Sequence, residues 1–152
     1  MNAEEKLHQL GINLPAPPPP AGAYVPVMTE EKLLFVSGQL PISEGKVIYT
    51  GKVGADLDLT QAQQAARLCL INALAAIKGH IGSLDQVRQM VRMEVFVNSA
   101  SGFIEQPQVA NAASQLLEAL FGARGRHARL AVGVAQLPLD AAVELALIAA
   151  IG

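Results

Sequence analysis

The chain has 152 residues, which fits one domain with one continuous core. Its formal net charge is −2 and it contains no basic block, so it lacks the electrostatic footprint of a nucleic-acid-binding protein. Charged residues make up only 16% and hydrophobic residues 51% of the chain, and small aliphatic side chains predominate. So much small apolar surface on a modest domain suggests that other subunits cover part of it.

Cysteine and histidine usage limits the kinds of site that the chain can hold. Cys69 is the only cysteine, which excludes an intramolecular disulfide, and we expect it to be a small core residue. Three scattered histidines offer no zinc spacing, so no metal is expected. The N-terminus lacks the basic-then-apolar order of a signal peptide, and no apolar run reaches the roughly 18 residues of a membrane span. The expectation is a soluble, cytoplasmic protein with no membrane partner.

The N-terminal part of the chain predicts a short arm. A weak helical pattern runs from Ala3 to about Leu10, and residues 15–20 then contain four consecutive prolines. Such a run prefers polyproline II and predicts a stiff spacer, although a ligand for a proline-recognition domain is an alternative. We therefore divide the chain into an arm and spacer, residues 1–22, and a body, residues 23–152.

The body opens with strand signals. Residues 24–28 and 33–37 predict a hairpin around a polar turn, and residues 46–50 predict a possible third short strand. Asp58 followed by Gln61 has the form of a capping box and predicts the start of a long helix.

Residues 89–98 follow with a period of two, which predicts a strand. One side of it would carry Val91, Met93, Val95 and Val97, and the other Arg92, Glu94 and Phe96. A second helix is predicted from about Glu105 to Phe121, since Pro107 suits its first turn and Gly122 its end. Two strand-like runs complete the chain, so the elements predict an α+β fold with two helices packed on one face of one sheet.

The last two runs each place a charge in an apolar strand. Arg129 and Glu144 need solvent, each other, another subunit or a ligand, because charges are rarely buried without a partner. A hairpin with residues 137–140 as its loop would place Glu144 opposite Gly133 and Arg129 opposite Ile148, on the same side of the sheet. The two charges would then lie roughly 13 Å apart, too far for a direct ion pair. Between them is room for a small molecule or a subunit boundary.

From spacing alone, salt bridges from Arg129 and Glu144 to neighbouring subunits are the favoured interpretation, and the small residues beside the arginine leave a ligand as the alternative. Ala131 and Gly133 share the predicted side of Arg129 and would expose backbone amides to a carboxylate or carbonyl group. Arg126 and His127 are predicted to be surface residues at the end of a loop.

The sequence resembles the reactive intermediate deaminase (RidA, YjgF) superfamily, and is similar to a less characterised branch of it. The segments that carry the resemblance are Ala23-Tyr24-Val25, Val36-Ser37-Gly38-Gln39-Leu40-Pro41, Val95-Phe96-Val97, Gly125-Arg126-His127-Ala128-Arg129 with Ala131-Val132-Gly133-Val134, Leu137-Pro138 and Val143-Glu144. Their order and spacing span the body from about Tyr24 to the end.

The resemblance implies a chorismate-mutase-like fold assembled as a homotrimer, with ligand clefts between subunits and no metal or organic cofactor. It implies that Arg129 grips a substrate carboxylate and that Glu144 supports a water near an imine carbon. The resemblance implies that Tyr24, Ser37 and Gly38 line the pocket, and Ala131 stands where studied members have cysteine. Ala131 and Gly133 remain substrate-binding candidates because of their small side chains beside Arg129.

The implied reaction is hydrolysis of a 2-imino or 2-enamino acid to a 2-oxo acid and ammonia. A non-catalytic trimer that binds small carboxylates is the alternative. An endoribonuclease or translation inhibitor, names used in the family, is a weaker one because the chain lacks a basic, aromatic surface for RNA.

Overall fold

A five-stranded mixed sheet forms the centre of the molecule, and two long helices pack on one of its faces. The computed structural model describes residues 1–17, 19 and 22–152, so Pro18, Pro20 and Ala21 of the predicted spacer lie outside the described residues. The elements in chain order are α1 (Ala3–Gln9), β1 (Val27–Glu30), β2 (Leu33–Gln39), β3 (Ile42–Ser43), β4 (Lys46–Val47), α2 (Leu59–Ile81), β5 (Val87–Asn98), α3 (Gln106–Phe121), β6 (Ala128–Val134) and β7 (Val143–Ile151). The described residues thus form an α+β fold with three α-helices.

The predicted helices are confirmed, including the capping box that starts α2. The Asp58 carboxylate accepts the Gln61 N–H at 2.8 Å, and the Gln61 side chain accepts the Asp58 N–H at 2.9 Å. α3 carries Pro107 in its first turn and ends at Gly122, whose φ of +61° stops the helix.

The N-terminal hairpin is confirmed with shifted bounds, and the third strand only in part. β1 and β2 pair antiparallel, with Val27 opposite Val36. Residues 46 and 47 form β4, which pairs with β3 in a separate two-stranded unit rather than joining the main sheet.

The sheet order β1-β2-β7-β5-β6 corrects the predicted pairing of the last two strands. β6 and β7 do not form a hairpin, because β5 lies between them. β5 pairs antiparallel with β7 and parallel with β6, to which α3 makes the crossover connection. The central position gives the backbone of this twelve-residue strand partners on both edges.

A β-bulge in β5 corrects the side of the strand that was predicted for Val91. The register against β7 shifts between Met90 and Arg92, so the extra residue Val91 turns outward and is 37% exposed. Met90 is buried in its place, and Met93, Val95 and Val97 are buried as predicted.

The core lies between the sheet and the helices α2 and α3. Cys69 on α2 is buried there as predicted, and its Sγ donates to the Val143 carbonyl oxygen at 3.5 Å. Burial, with the nearby negative charge of Glu144, raises the pKa of the Cys69 thiol well above its usual value, so the thiol stays protonated.

The short helix α1 packs onto the same body, since Ala3 and Leu7 belong to the core. Its Glu4 carboxylate accepts the Leu84 N–H at 3.0 Å and the Lys78 ammonium at 2.9 Å. Partial burial raises the pKa of Glu4, but these two hydrogen bonds, the charge of Lys78 and a hydrogen bond from Ser83 together leave the pKa below its ordinary value of 4.5. The boundary between residues 22 and 23 stays a prediction.

The second face of the sheet carries large apolar side chains that none of the described helices covers. Met28 is 56% exposed and Phe35, its partner across β1 and β2, is 40% exposed. In the described part of the chain, no helix is long and apolar enough to cross a bilayer.

Candidate functional site

Glu144 lies at the start of β7 on the face of the sheet that the helices leave open. It pairs with Phe96 of β5, whereas the adjacent Val143 and Leu145 point into the core. Half-burial of the carboxyl group raises its pKa above the ordinary value of 4.5. A carboxylate with a raised pKa holds a proton more tightly, which suits a group that accepts a proton from water.

A bulge in β2 brings Gly38 against this carboxylate. The register between β2 and β7 shifts between Val36 and Gln39, so β2 has an extra residue there. An ideal Cβ placed on Gly38 would lie 3.0 Å from Glu144 Cδ and collide with Oε2. Only glycine therefore leaves the carboxylate in its observed position.

Ser37 and Tyr24 lie next to the same bulge. The Ser37 hydroxyl donates to the Val25 carbonyl oxygen at 2.7 Å and so ties β2 to the segment before β1. Tyr24 precedes Val25 and is 62% exposed. The structure thus brings Gly38 against Glu144, with Ser37 next to Gly38 in the chain and Tyr24 next to the residue that Ser37 binds.

Arg129 lies on the other face of the sheet, which corrects the prediction that the two charges share a side. It pairs with Met93, whose side chain is buried towards the helices. Its Nη1 group donates to Asn111 Oδ1 at 2.8 Å and to Ser114 Oγ at 3.1 Å, both on α3. The prediction failed because it rested on a β6–β7 hairpin, and side chains alternate by face with register.

Ala131 and Gly133 share the helix-covered face with Arg129. Ala131 packs against the core, and an ideal Cβ on Gly133 would lie 2.8 Å from Gln106 Nε2 and 2.9 Å from Ser99 Oγ. A side chain at residue 133 would therefore displace the side chains of Gln106 and Ser99, which pack against the backbone of β6 there.

A surface groove of about 410 Å³ lies along α3 and β6, and Asn111, Ser114, His127 and Arg129 are among the residues that line it. His127 lies at the surface at the end of a loop, as predicted, but its ring is half-buried and is hydrogen-bonded to Ser114 at 3.0 Å and to the Gly125 carbonyl oxygen at 2.7 Å. Arg126 is exposed as predicted. The sequence reasoning missed Asn111 and Ser114, for which the only signal was a polar pair three residues apart on α3.

The Arg129 guanidinium can bind a further anion. In the described ranges 1–17, 19 and 22–152, no hydrogen bond or salt bridge occupies its Nε or Nη2 group. These groups form one edge of the planar fork, which matches a carboxylate. Among the same residues, no cluster of three or more His, Cys, Asp or Glu side chains is placed to hold a metal ion.

Comparison with known proteins places these residues within a shared fold. Residues 4–151 match the family described as "YjgF/chorismate_mutase-like, putative endoribonuclease". Protein TCP17 of Trypanosoma cruzi is 48% identical over 140 residues, which cover 91% of this chain and 88% of TCP17.

Two solved structures have the same architecture. The crystal structure of Atu1372 from Agrobacterium tumefaciens, a protein of unknown function, superposes with a TM-score of 0.90 at 44% identity, over 98% of this chain and 91% of that one. The crystal structure of Escherichia coli TdcF with bound serine superposes with a TM-score of 0.63 at 25% identity, over 90% and 94% of the two chains.

Proposed function

The chain belongs to the YjgF/chorismate mutase-like family, as the sequence resemblance indicated, and we propose that it is an imine/enamine deaminase. It would hydrolyse 2-imino and 2-enamino acids to 2-oxo acids and ammonia. Two charged groups carry the proposal. Among the described residues, one edge of the Arg129 guanidinium has no hydrogen-bond partner. Glu144 is a half-buried carboxyl group whose pKa is raised.

The chemistry needs little more than these two groups. A protonated imine is already electrophilic, so the enzyme has to hold the substrate carboxylate and place a water molecule at the imine carbon. Arg129 binds the carboxylate, and Glu144 accepts a proton as the water oxygen bonds to that carbon. Glu144 then passes this proton to the amino nitrogen of the carbinolamine and accepts the hydroxyl proton, so the C=O bond forms as the C–N bond breaks and ammonia leaves. The proton left on Glu144 returns to solvent. An enamine first takes a proton from solvent on carbon and so becomes the protonated imine.

Both groups reach one substrate only when two copies of the chain meet. Arg129 and Glu144 lie on opposite faces of the sheet within a chain, so Arg129 of one copy would act with Glu144 of a neighbouring copy. The open apolar face, with Met28 and Phe35 exposed, supports association of copies, and we propose the homotrimer that the resemblance implies. Tyr24, Ser37 and Gly38 would line the cleft beside Glu144, and Ala131 and Gly133 lie beside Arg129.

A trimer that binds small carboxylates without turnover is the second candidate. TdcF carries bound serine, a small molecule with a carboxylate, and the free edge of Arg129 would suit such a ligand equally well. Ligand binding would then stabilise the protein thermally, and no ammonia would be released.

The deciding experiment measures ammonia released from 2-aminoacrylate, generated in the assay by a second enzyme. We expect release above the spontaneous rate and in proportion to the amount of protein. Equal rates with and without the protein would reject the deaminase, and pyruvate-dependent thermal stabilisation would then support the binding trimer.

A further inference from the structure

We propose that Asn111, Ser114 and His127 are positioning residues that hold the Nη1 side of Arg129, so that the Nε–Nη2 edge stays available to a carboxylate ligand. The inference rests on the proposed role of Arg129 and adds the residues that make its guanidinium selective for one orientation of that ligand.

The first observation is the pair of bonds from α3. Asn111 and Ser114 are three residues apart and so lie on the same face of the helix. Arg129 Nη1 carries two N–H groups, and its two acceptors, Asn111 Oδ1 at 2.8 Å and Ser114 Oγ at 3.1 Å, use both. The rest of the fork, Nε and Nη2, remains for a ligand.

The second observation is that His127 fixes the direction of the serine hydroxyl. A backbone carbonyl only accepts, so His127 Nδ1, at 2.7 Å from the Gly125 oxygen, must donate. In a neutral ring Nε2 then accepts, and the Ser114 hydroxyl at 3.0 Å donates to it. The lone pairs of Ser114 Oγ are left for Arg129.

Gly125 anchors this series of hydrogen bonds on a rigid part of the fold. It is buried, and an ideal Cβ there would collide with the Leu117 carbonyl oxygen and lie 3.1 Å from the Glu118 nitrogen. The Gly125 backbone therefore packs directly on α3. The hydrogen bonds that join Gly125, His127 and Ser114 therefore fix the orientation of the Arg129 guanidinium relative to α3.

Holding the guanidinium in place lowers the conformational entropy that Arg129 loses when a ligand binds. A free arginine on an exposed edge strand loses rotamer freedom when it grips a ligand, whereas one already held by two acceptors loses less. Because two of five N–H groups are used, a carboxylate can dock side-on to Nε and Nη2 but not end-on across both terminal nitrogens.

The test compares the double variant N111L/S114A with Ser114→Thr, which keeps the hydroxyl, and with Gln108→Ala, an exposed change elsewhere on α3. Isothermal titration with pyruvate gives Kd, and ammonia release gives KM and kcat. We expect the double variant to raise Kd and KM about tenfold with kcat retained, because a grip made equally in ground and transition states affects binding alone. Ser114→Thr and Gln108→Ala should bind as wild type does.

Wild-type affinity in the double variant, or a fall in kcat at unchanged Kd, would overturn the positioning role. Arg129→Ala separates this from failure of the proposed function. If Arg129→Ala loses pyruvate binding and the double variant does not, only the positioning role fails. If Arg129→Ala binds pyruvate like wild type, or wild type does not bind it, the carboxylate role of Arg129 fails and the inference fails with it.

Discussion

Arg129 and Glu144 stand on opposite faces of one sheet, in strands that β5 separates. Arg129 shares the helix-covered face with Met93, and Glu144 shares the open face with Phe96. A catalytic unit that uses both groups must therefore be assembled from two copies, and this relationship yields a direct test.

Two inactive variants should complement each other. We expect a refolded equimolar mixture of Arg129→Ala and Glu144→Gln chains to regain about a quarter of wild-type activity, because a random neighbour pair supplies an intact arginine and an intact glutamate at that frequency. Each variant refolded alone is the control. A mixture no more active than its components would show that the two residues do not share a site.

Replacing Arg129 tests the carboxylate grip. Arg129→Ala should lower kcat/KM at least about 100-fold, since loss of a charged, hydrogen-bonded partner costs about 2.7 kcal/mol or more. Arg129→Lys keeps the charge but not the fork and should recover only part of the loss. The exposed Arg88→Ala serves as the matched control, and equal losses from Arg88→Ala and Arg129→Ala would contradict a specific role.

The raised pKa of Glu144 predicts a pH profile. Activity that needs the carboxylate should rise with pH through a value above 4.5, and Glu144→Gln should abolish this rise while leaving pyruvate affinity nearly unchanged. The free energy of unfolding should fall as pH rises, whereas activity should increase. Because the pKa of Glu144 is higher in the folded than in the unfolded chain, this group stabilises the fold below pH 4.5, and the contribution is lost as pH rises through the folded pKa. Thermal melts of wild type and Glu144→Gln across this range check the sign.

Gly38→Ala should impair catalysis without unfolding the protein. The new methyl group would occupy the place of Glu144 Oε2 and push the carboxylate from the position in which it is proposed to activate water. The φ of Gly38 lies outside the left-handed region, so alanine adds no backbone strain there. We expect kcat to fall towards that of Glu144→Gln with little change in Tm. Unchanged kcat would mean that the position of Glu144 is not critical.

The N-terminal helix should contribute to stability. Leu7 is 4% exposed and belongs to the core, so Leu7→Ala should lower the free energy of unfolding by about 2–3 kcal/mol in urea denaturation at fixed protein concentration. Leu10, one turn later and 49% exposed, provides the control, with an expected change below about 0.5 kcal/mol for Leu10→Ala. Equal effects would indicate that α1 does not pack on the body in solution.

Local sequence signals identified the elements of this fold well. The Asp58–Gln61 capping box, Pro107 and Gly122 each act within one or two helical turns, so the sequence alone locates the helix ends. The bulge at Val91 was not predicted, because one extra residue inverts the alternation without a distinctive residue type.

Such local signals could not predict which strands pair in the sheet. A short connection between β6 and β7 favours a hairpin, yet β5 lies between these two strands. The connection contains two consecutive residues, Leu139 and Asp140, with φ of +57°. The face of Arg129 depends on that pairing. The sequence therefore identified Arg129 and Glu144 as the charges of interest but assigned them to one face. It gave no indication that Asn111 and Ser114 bind Arg129, because those hydrogen bonds depend on contact between α3 and β6.

The edge position of β6 has a consequence for solubility. In the described part of the chain, β5 is its one neighbour in the sheet, and its seven residues carry a single charge, Arg129. Exposed apolar edge strands promote aggregation, and a charged side chain on the strand opposes it. We therefore expect the guanidinium that is proposed to hold the ligand also to oppose aggregation of the separated chain, so loss of this arginine would lower solubility as well as ligand binding.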